Sequence, residues 1–201
     1  MMLRTGRYPA AQSVSVESLA TSKSIEVIKD HGFKCALCKF RSRPAKSVPS
    51  GFMEVVEIAG VEKVLCALCA QSTLLRRMPD GKMNHGHIFF CHTLSQGQVS
   101  DIARYVGLHI HRKTELESTA RNFSRLIKDE MVPAVGKVIP GFTSGDPFAF
   151  ADLMDNVVSP AQNTGLEHLR YWPNPAVFSL VFKFWDAASF SKSSLGLAAS
   201  L

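Results

Sequence analysis

Cys35-Ala-Leu-Cys38 and Cys66-Ala-Leu-Cys69 are two Cys-x-x-Cys knuckles in one chain of 201 residues, and they decide its fold. Four thiolates grouped in this way complete a tetrahedral shell around one zinc ion and leave no position open for water or substrate. The spacing therefore predicts one structural zinc ion with these four cysteines as ligands. Two disulfides are the alternative, but neighbouring cysteines in this motif usually form redox sites, and no βαβ context precedes Cys35.

The segment between the knuckles predicts a β-hairpin. Its 27 residues suit a treble-clef or ribbon arrangement, in which one knuckle opens a hairpin and the other stands at the start of a helix. Phe52–Ile58 alternates as a strand does, Ala59-Gly60 forms the turn, and 61–65 returns. A helix over 70–78 follows the second knuckle. We therefore expect an α+β fold, with a small treble-clef or HNH-like zinc module and a mainly helical C-terminal part.

The rest of the chain alternates short apolar patterns with loops. We predict a loose N-terminal arm over 1–21, a zinc-binding module over 22–112, a helical region over 113–188 and a flexible tail over 189–201. Within these parts the patterns predict a helix over 24–30, a strand over 86–92, a capped helix from Ser95 to about Arg112, a helix over 114–135, one from Asp146, and a final helix over 177–185.

Composition limits the location and the class of the protein. A hydrophobic fraction of 46% can form a sizeable core, so the chain is not a disordered protein. Four cysteines in metal spacing, with Cys91 left over, indicate a reducing compartment, and we expect the cytosol. No signal-peptide core follows Met1, and the most apolar stretch, 176–185, is about half of the ~20 residues that a membrane-spanning helix needs.

Other histidines and cysteines offer weaker candidate sites. Imidazole and thiolate ligands at His85, His87, Cys91 and His92 form a possible second metal site. Cys91 beside His92 resembles a nucleophile and its base, but adjacent residues of a strand point to opposite faces, so a buried spare thiol is the simpler interpretation. His109 and His111 fall at i and i+2 of a helix. They therefore lie on different faces, and we expect no shared metal ion there.

Two surface features allow two interpretations each. Five basic residues surround the first knuckle, and the net charge of the chain is +6. These five side chains either contact nucleic-acid phosphates or offset the negative charge of the zinc–thiolate centre. The last helix carries a broad apolar stripe that either packs into the core, which we favour, or docks a partner. The five cations are Lys34, Lys39, Arg41, Arg43 and Lys46. The stripe is Val177, Phe178, Val181, Phe182 and Trp185.

The layout of the knuckles resembles the zinc scaffold of HNH nucleases, but it lacks their chemistry. The strand between the knuckles normally offers an Asp-His pair whose histidine is the general base. Here 52–60 contains no histidine, and Val61 stands five residues before Cys66, where those nucleases place an asparagine. Glu54 and Glu57 alone are weak candidates for hydrolysis. We therefore expect no catalytic residues and no enzymatic activity.

Several segments together resemble the IcmJ/DotN family of type IVB (Dot/Icm-like) secretion and conjugation systems. They run in order from about residue 24 to residue 186. The segments are the knuckle over 33–38, the knuckle over 65–71, the strand leading into 94–96, the turn over 144–150 with Leu153-Met154, and the proline-rich approach to a helix ending at Trp185.

The resemblance implies a non-enzymatic, zinc-stapled subunit of a cytoplasmic coupling complex that supports substrate recruitment to the secretion channel. By this resemblance the ligands are Cys35, Cys38, Cys66 and Cys69, the partners are the C-terminal tail of a coupling ATPase and the other subunits of the complex, and the inner membrane is reached only through that complex. A tail that folds on docking needs an apolar groove, and the helices after residue 95 are the expected place. The alternative is a nucleic-acid-binding zinc protein or a residual HNH-type nuclease.

Overall fold

The structure is a computed structural model that describes residues 22–58, 60–75, 85–142, 144–156 and 165–189. The predicted arm over 1–21 and the predicted tail beyond Ser189 lie outside the described residues. The helix predicted over 70–78 ends earlier, at Thr73, and 76–78 lie outside the described residues. The predicted division between a zinc module and a helical region, at residues 112 and 113, stays a prediction.

The fold is a mixture of helices and two small antiparallel sheets, as the sequence predicts. The helices in the described ranges are α1 Ser22–Asp30, α2 Ala67–Thr73, α3 Gln96–Arg112, α4 Glu117–Leu126, α5 Pro147–Asn156 and α6 Ser179–Ser189. The strands there are β1 Met53–Ile58, β2 Val61–Cys66, β3 Gly86–Phe90 and β4 Leu169–Pro173. A π-helical turn, Ile127–Met131, and a 3₁₀ turn, Pro133–Lys137, follow α4.

The hairpin predicted between the knuckles is confirmed. β1 pairs with β2 in an antiparallel register that sets Met53 opposite Cys66 and Ile58 opposite Val61. Val56 and Ile58 are buried on one face of β1 and Met53 is buried on the other, since successive side chains of a strand point to opposite faces. The second knuckle therefore begins inside the sheet, at the last residue of β2.

The second sheet, β3–β4, joins strands that lie on either side of α3, α4 and α5 in the sequence. It pairs Gly86 with Pro173 and Phe90 with Leu169. The strand over 86–90 agrees with the prediction, whereas no strand is predicted at β4. All five residues of β4 are buried, so the apolar and polar alternation that marks a half-exposed strand is absent there.

The helix ends follow local chemistry. Ser95 caps α3 through a capping box in which its side chain accepts a hydrogen bond from the Gln98 backbone N–H. Asp146 caps α5 by accepting a hydrogen bond from the Phe148 N–H at 2.7 Å. The single helix predicted over 114–135 is divided: α4 spans Glu117–Leu126, and the π-helical turn and the 3₁₀ turn follow it. Pro133 begins the 3₁₀ turn and has no N–H to continue an α-helical hydrogen-bond series.

The final helix packs into the core, so the favoured interpretation of its apolar stripe is confirmed. Phe178, Val181, Phe182 and Trp185 belong to the same buried cluster as the hairpin and the knuckles. The Trp185 indole N–H donates to the Gly51 carbonyl at 3.1 Å. The sequence-distant helix α6 therefore closes the core around the cysteines.

Candidate metal centre

The first knuckle is a tight loop between two short paired segments that follow α1. Lys34 and Arg41 form an isolated antiparallel bridge, and the Cys35 N–H donates to the Phe40 carbonyl at 2.8 Å. Lys39 has a φ of 64°, in the left-handed region that turns the chain sharply. This turn brings Cys35 and Cys38 to the same side of the loop.

The second knuckle spans the junction of β2 and α2. Cys66 ends the strand and occupies the N-cap position of the helix, and Cys69 lies in the first turn of that helix. The Ala36 N–H donates to the Val64 carbonyl at 2.8 Å, which joins the two knuckles through their backbones. The second knuckle therefore stands at the start of a helix, as predicted.

The four predicted ligands lie together. Their sulfur atoms are all within 4.8 Å of one another, and the Sγ atoms of Cys38 and Cys66 are 3.6 Å apart. Zinc–sulfur bonds of about 2.3 Å in a tetrahedron place the sulfurs roughly 3.8 Å from each other, which matches this spacing. All four are free thiols, so the alternative of two disulfides is wrong.

The environment of the four sulfurs favours a bound cation. Cys35, Cys66 and Cys69 are fully buried, and Cys38 is half-buried. Hydrogen bonds from Cys38, Cys66 and Cys69 lower the pKa of the Cys35 thiol, whereas hydrogen bonding to Cys35 and burial raise the pKa of the Cys66 thiol. Protons are thus shared unequally because adjacent buried thiolates repel each other. One metal ion bound by all four sulfurs would remove that repulsion.

A buried arginine, missed by the sequence analysis, completes the site. Arg104 of α3 is only 3% exposed, and its Nη1 donates to the Cys38 Sγ at 3.5 Å. Its guanidinium lies 4.2 Å from the centroid of the Phe40 ring, and its Nη2 pairs with the Asp101 carboxylate. The signal that could have indicated it is the polar face of α3, where Gln96, Ser100 and Arg104 are buried.

The basic cluster of the first knuckle lies on the surface. All five predicted cations are exposed, and the Lys39 ammonium donates to the Ala36 carbonyl at 2.7 Å. Arg104 is instead the cation that donates a hydrogen bond to a candidate ligand sulfur. A residue of α3, distant in the sequence, therefore places a positive charge at the cluster, and the two interpretations of the five surface cations stay predictions.

The second candidate metal site is not assembled. In the part of the chain that the structure describes, the four knuckle cysteines are the only group of three or more His, Cys, Asp or Glu side chains placed to share an ion. His85 and Cys91 are buried, whereas His92 is exposed. The Cys91 sulfur instead approaches the Thr93 hydroxyl, at 3.7 Å.

The segment between the two knuckles contains glutamates but no histidine. Glu54 is half-buried on β1, and the exposed Glu57 is paired in register with Glu62 of β2. His109 lies on α3, where its Nδ1 is 2.8 Å from the Thr114 hydroxyl. The expectation that Glu54 and Glu57 are not catalytic stays a prediction.

The chain matches no protein-family model, and no curated protein sequence is significantly similar to it. Across the described ranges, no helix combines the length and the apolar character that crossing a bilayer requires.

Proposed function

We propose that the protein is a non-enzymatic subunit of a type IVB secretion or conjugation coupling complex. One structural zinc ion stabilises its fold, and the protein binds the C-terminal extension of a coupling ATPase. The observation that carries the proposal is the set of four cysteine sulfurs, three of them fully buried, around a single point. A tetrathiolate centre of this kind is saturated and supports structure. The family resemblance of the sequence supports the choice of complex.

Zinc is the metal that this donor set favours. Thiolate ligands in a tetrahedral set select zinc or iron, and hard cations such as magnesium prefer oxygen. Metal analysis of the protein purified without added metal tests the assignment, and we expect one zinc per chain. An iron content of one per chain, or no bound metal, would contradict it.

The ATPase tail requires an apolar surface, and α4 offers one. Ala120 is the only buried residue of this fully described helix. Leu116, Phe123 and Leu126 are 39%, 37% and 50% exposed on or beside it. An amphipathic helix normally buries its apolar stripe, so exposed large side chains on α4 favour a partner at this surface.

Co-elution of the purified protein with the C-terminal tail of its cognate coupling ATPase tests the proposal. Mass detection at low and high salt should show a complex that persists at high salt, because apolar contacts are not screened. Leu126→Asp on α4 should abolish the complex. Leu180→Asp on α6, at a residue that is 72% exposed, is the matched control and should leave the complex intact. No complex at either salt concentration would reject the proposal.

A second function, nucleic-acid binding, is favoured by one observation. The segment 31–53 carries five Lys and Arg residues and no Asp or Glu, so it accounts for +5 of the chain's net charge of +6. The five cations are exposed, and Arg104 supplies the hydrogen bond to the centre. Duplex DNA binding that weakens steeply with salt, and that Arg41→Ser removes, would support this second function.

A further inference from the structure

Arg104 is a charged side chain at 3% exposure, and such burial requires compensation. Three groups surround its guanidinium: the Cys38 sulfur at 3.5 Å, the Phe40 ring centroid at 4.2 Å and the carboxylate of Asp101 one turn earlier. The Asp101 side chain is 41% exposed, so its charge is partly screened by water. The Cys38 sulfur therefore contributes to stabilising the buried positive charge of Arg104.

The backbone of α3 is shaped for this contact. A Cβ atom at Gly97 would lie 2.7 Å from the Leu37 carbonyl oxygen and 3.4 Å from the Cys38 Cα. Gly97 and Arg104 are seven residues apart and therefore share one face of the helix. The first two turns of α3 thus lie directly on the first knuckle, and glycine permits the close approach.

We propose that Arg104 is the counter-ion of the metal–thiolate centre and that it couples metal binding to the docking of α3. A divalent ion with four thiolates has a formal charge of minus two, and the guanidinium, which also pairs with the partly exposed Asp101 carboxylate, places a positive charge against the Cys38 sulfur. Its hydrogen bond also fixes Cys38, the most exposed of the four ligands. This inference rests on the metal centre of the proposed function and assigns to α3 a role in that centre.

The test compares two buried arginines in the full chain. Arg170 is 7% exposed, but its guanidinium donates to the carbonyl oxygens of Leu94, Glu167 and Leu169. Arg104→Met, Arg104→Lys and Arg170→Met are each stripped of metal and titrated with Zn²⁺ against a competing chelator. The same proteins are then titrated with Co²⁺, whose sulfur-to-cobalt charge-transfer band reports on the thiolates themselves.

We expect Arg104→Met to weaken zinc binding by roughly 10–100-fold, the usual effect of losing a group that orients a ligand. The charge-transfer band should move to longer wavelength, because a thiolate without its cation gives up an electron more easily. Arg104→Lys should recover part of both losses, since it restores the charge without the planar fork. Arg170→Met should lower the melting temperature and leave zinc affinity and the cobalt band unchanged.

Unchanged affinity and an unchanged band in Arg104→Met would overturn the proposal, as would equal losses in Arg104→Met and Arg170→Met. If Arg104→Met does not fold, Arg104→Gln decides: zinc affinity and a band identical to those of the unsubstituted protein contradict the counter-ion role. Failure of the proposed metal centre itself would appear in the unsubstituted protein. Absence of zinc uptake and of a charge-transfer band there would reject the metal centre and, with it, the inference about Arg104.

Discussion

The two antiparallel strand pairs of this protein are held together in different ways. β1 and β2 are adjacent in the sequence, and the cysteine cluster stands beside the end of their ladder, at Cys66. β3 and β4 come from distant parts of the chain and are held by side chains of the core, including Gln96, which both donates to the Tyr171 carbonyl and accepts from its N–H. We therefore expect folding of the first pair to depend on the proposed metal ion, and folding of the second to depend on apolar burial and hydrogen bonds.

Removal of one ligand gives the largest expected effect. Structural zinc contributes about 10–16 kcal/mol, which is comparable to the ~5–15 kcal/mol total stability of a domain. Cys69→Ser should therefore leave the protein poorly folded and with less than one zinc per chain. Metal analysis and thermal melting measure both properties.

Cys91→Ser is the matched control for that variant. Cys91 is also buried and is also a free thiol, but it lies outside the cluster. We expect its zinc content to be unchanged and its loss of stability to stay below about 2 kcal/mol. Full zinc content and an unchanged melting temperature in Cys69→Ser would contradict the dependence of the first strand pair on metal.

Trp185→Ala should give the next largest effect, about 3–5 kcal/mol in urea unfolding. Trp185 is fully buried, its ring centroid lies 4.8 Å from that of Phe40, and its N–H donates to Gly51. The change removes apolar contacts beneath the first knuckle without touching a sulfur, so zinc stoichiometry should stay at one. Leu180→Ala on the same helix is the control, expected within about 0.5 kcal/mol of the unsubstituted protein. Loss of zinc from Trp185→Ala would show that the centre requires α6.

Gln96→Met probes the second strand pair. The methionine has a similar size but leaves the buried N–H and carbonyl of Tyr171 without their side-chain partner. We expect a loss of about 2–4 kcal/mol, since the two hydrogen bonds to Tyr171 and the one to the Ser100 hydroxyl disappear and the two buried backbone groups of Tyr171 lose a partner. Unfolding in urea measures the loss at saturating zinc. A change below 0.5 kcal/mol, by the same order-of-magnitude scale, would mean that Gln96 does not hold β4.

Local features of the fold were predictable because each is determined by residues that are close together in the sequence. The knuckles, the hairpin between them, the cap at Ser95 and the cap at Asp146 each depend on residues within a few positions of one another. β4 and Arg104 were not predictable by the same reasoning. Leu169–Pro173 has no alternation because it is buried throughout, and Arg104 appears as an ordinary cation of an amphipathic helix until α3 is placed on the first knuckle.

The smallest expected effect distinguishes whether the start of α3 belongs to the metal centre. Ser95→Ala removes the cap of α3, and Asp146→Ala removes the cap of α5; each should cost about 1 kcal/mol. If the caps act locally, the two losses are equal in urea unfolding and zinc affinity is the same in both variants.

If α3 and the centre form one cooperative unit, Ser95→Ala also weakens zinc binding, because a frayed first turn moves Gly97 away from Leu37 and Cys38. Asp146→Ala cannot have that effect, since α5 contributes to the cluster around β3 and β4. Zinc affinity of this pair of variants therefore measures how far the metal-dependent region extends along α3.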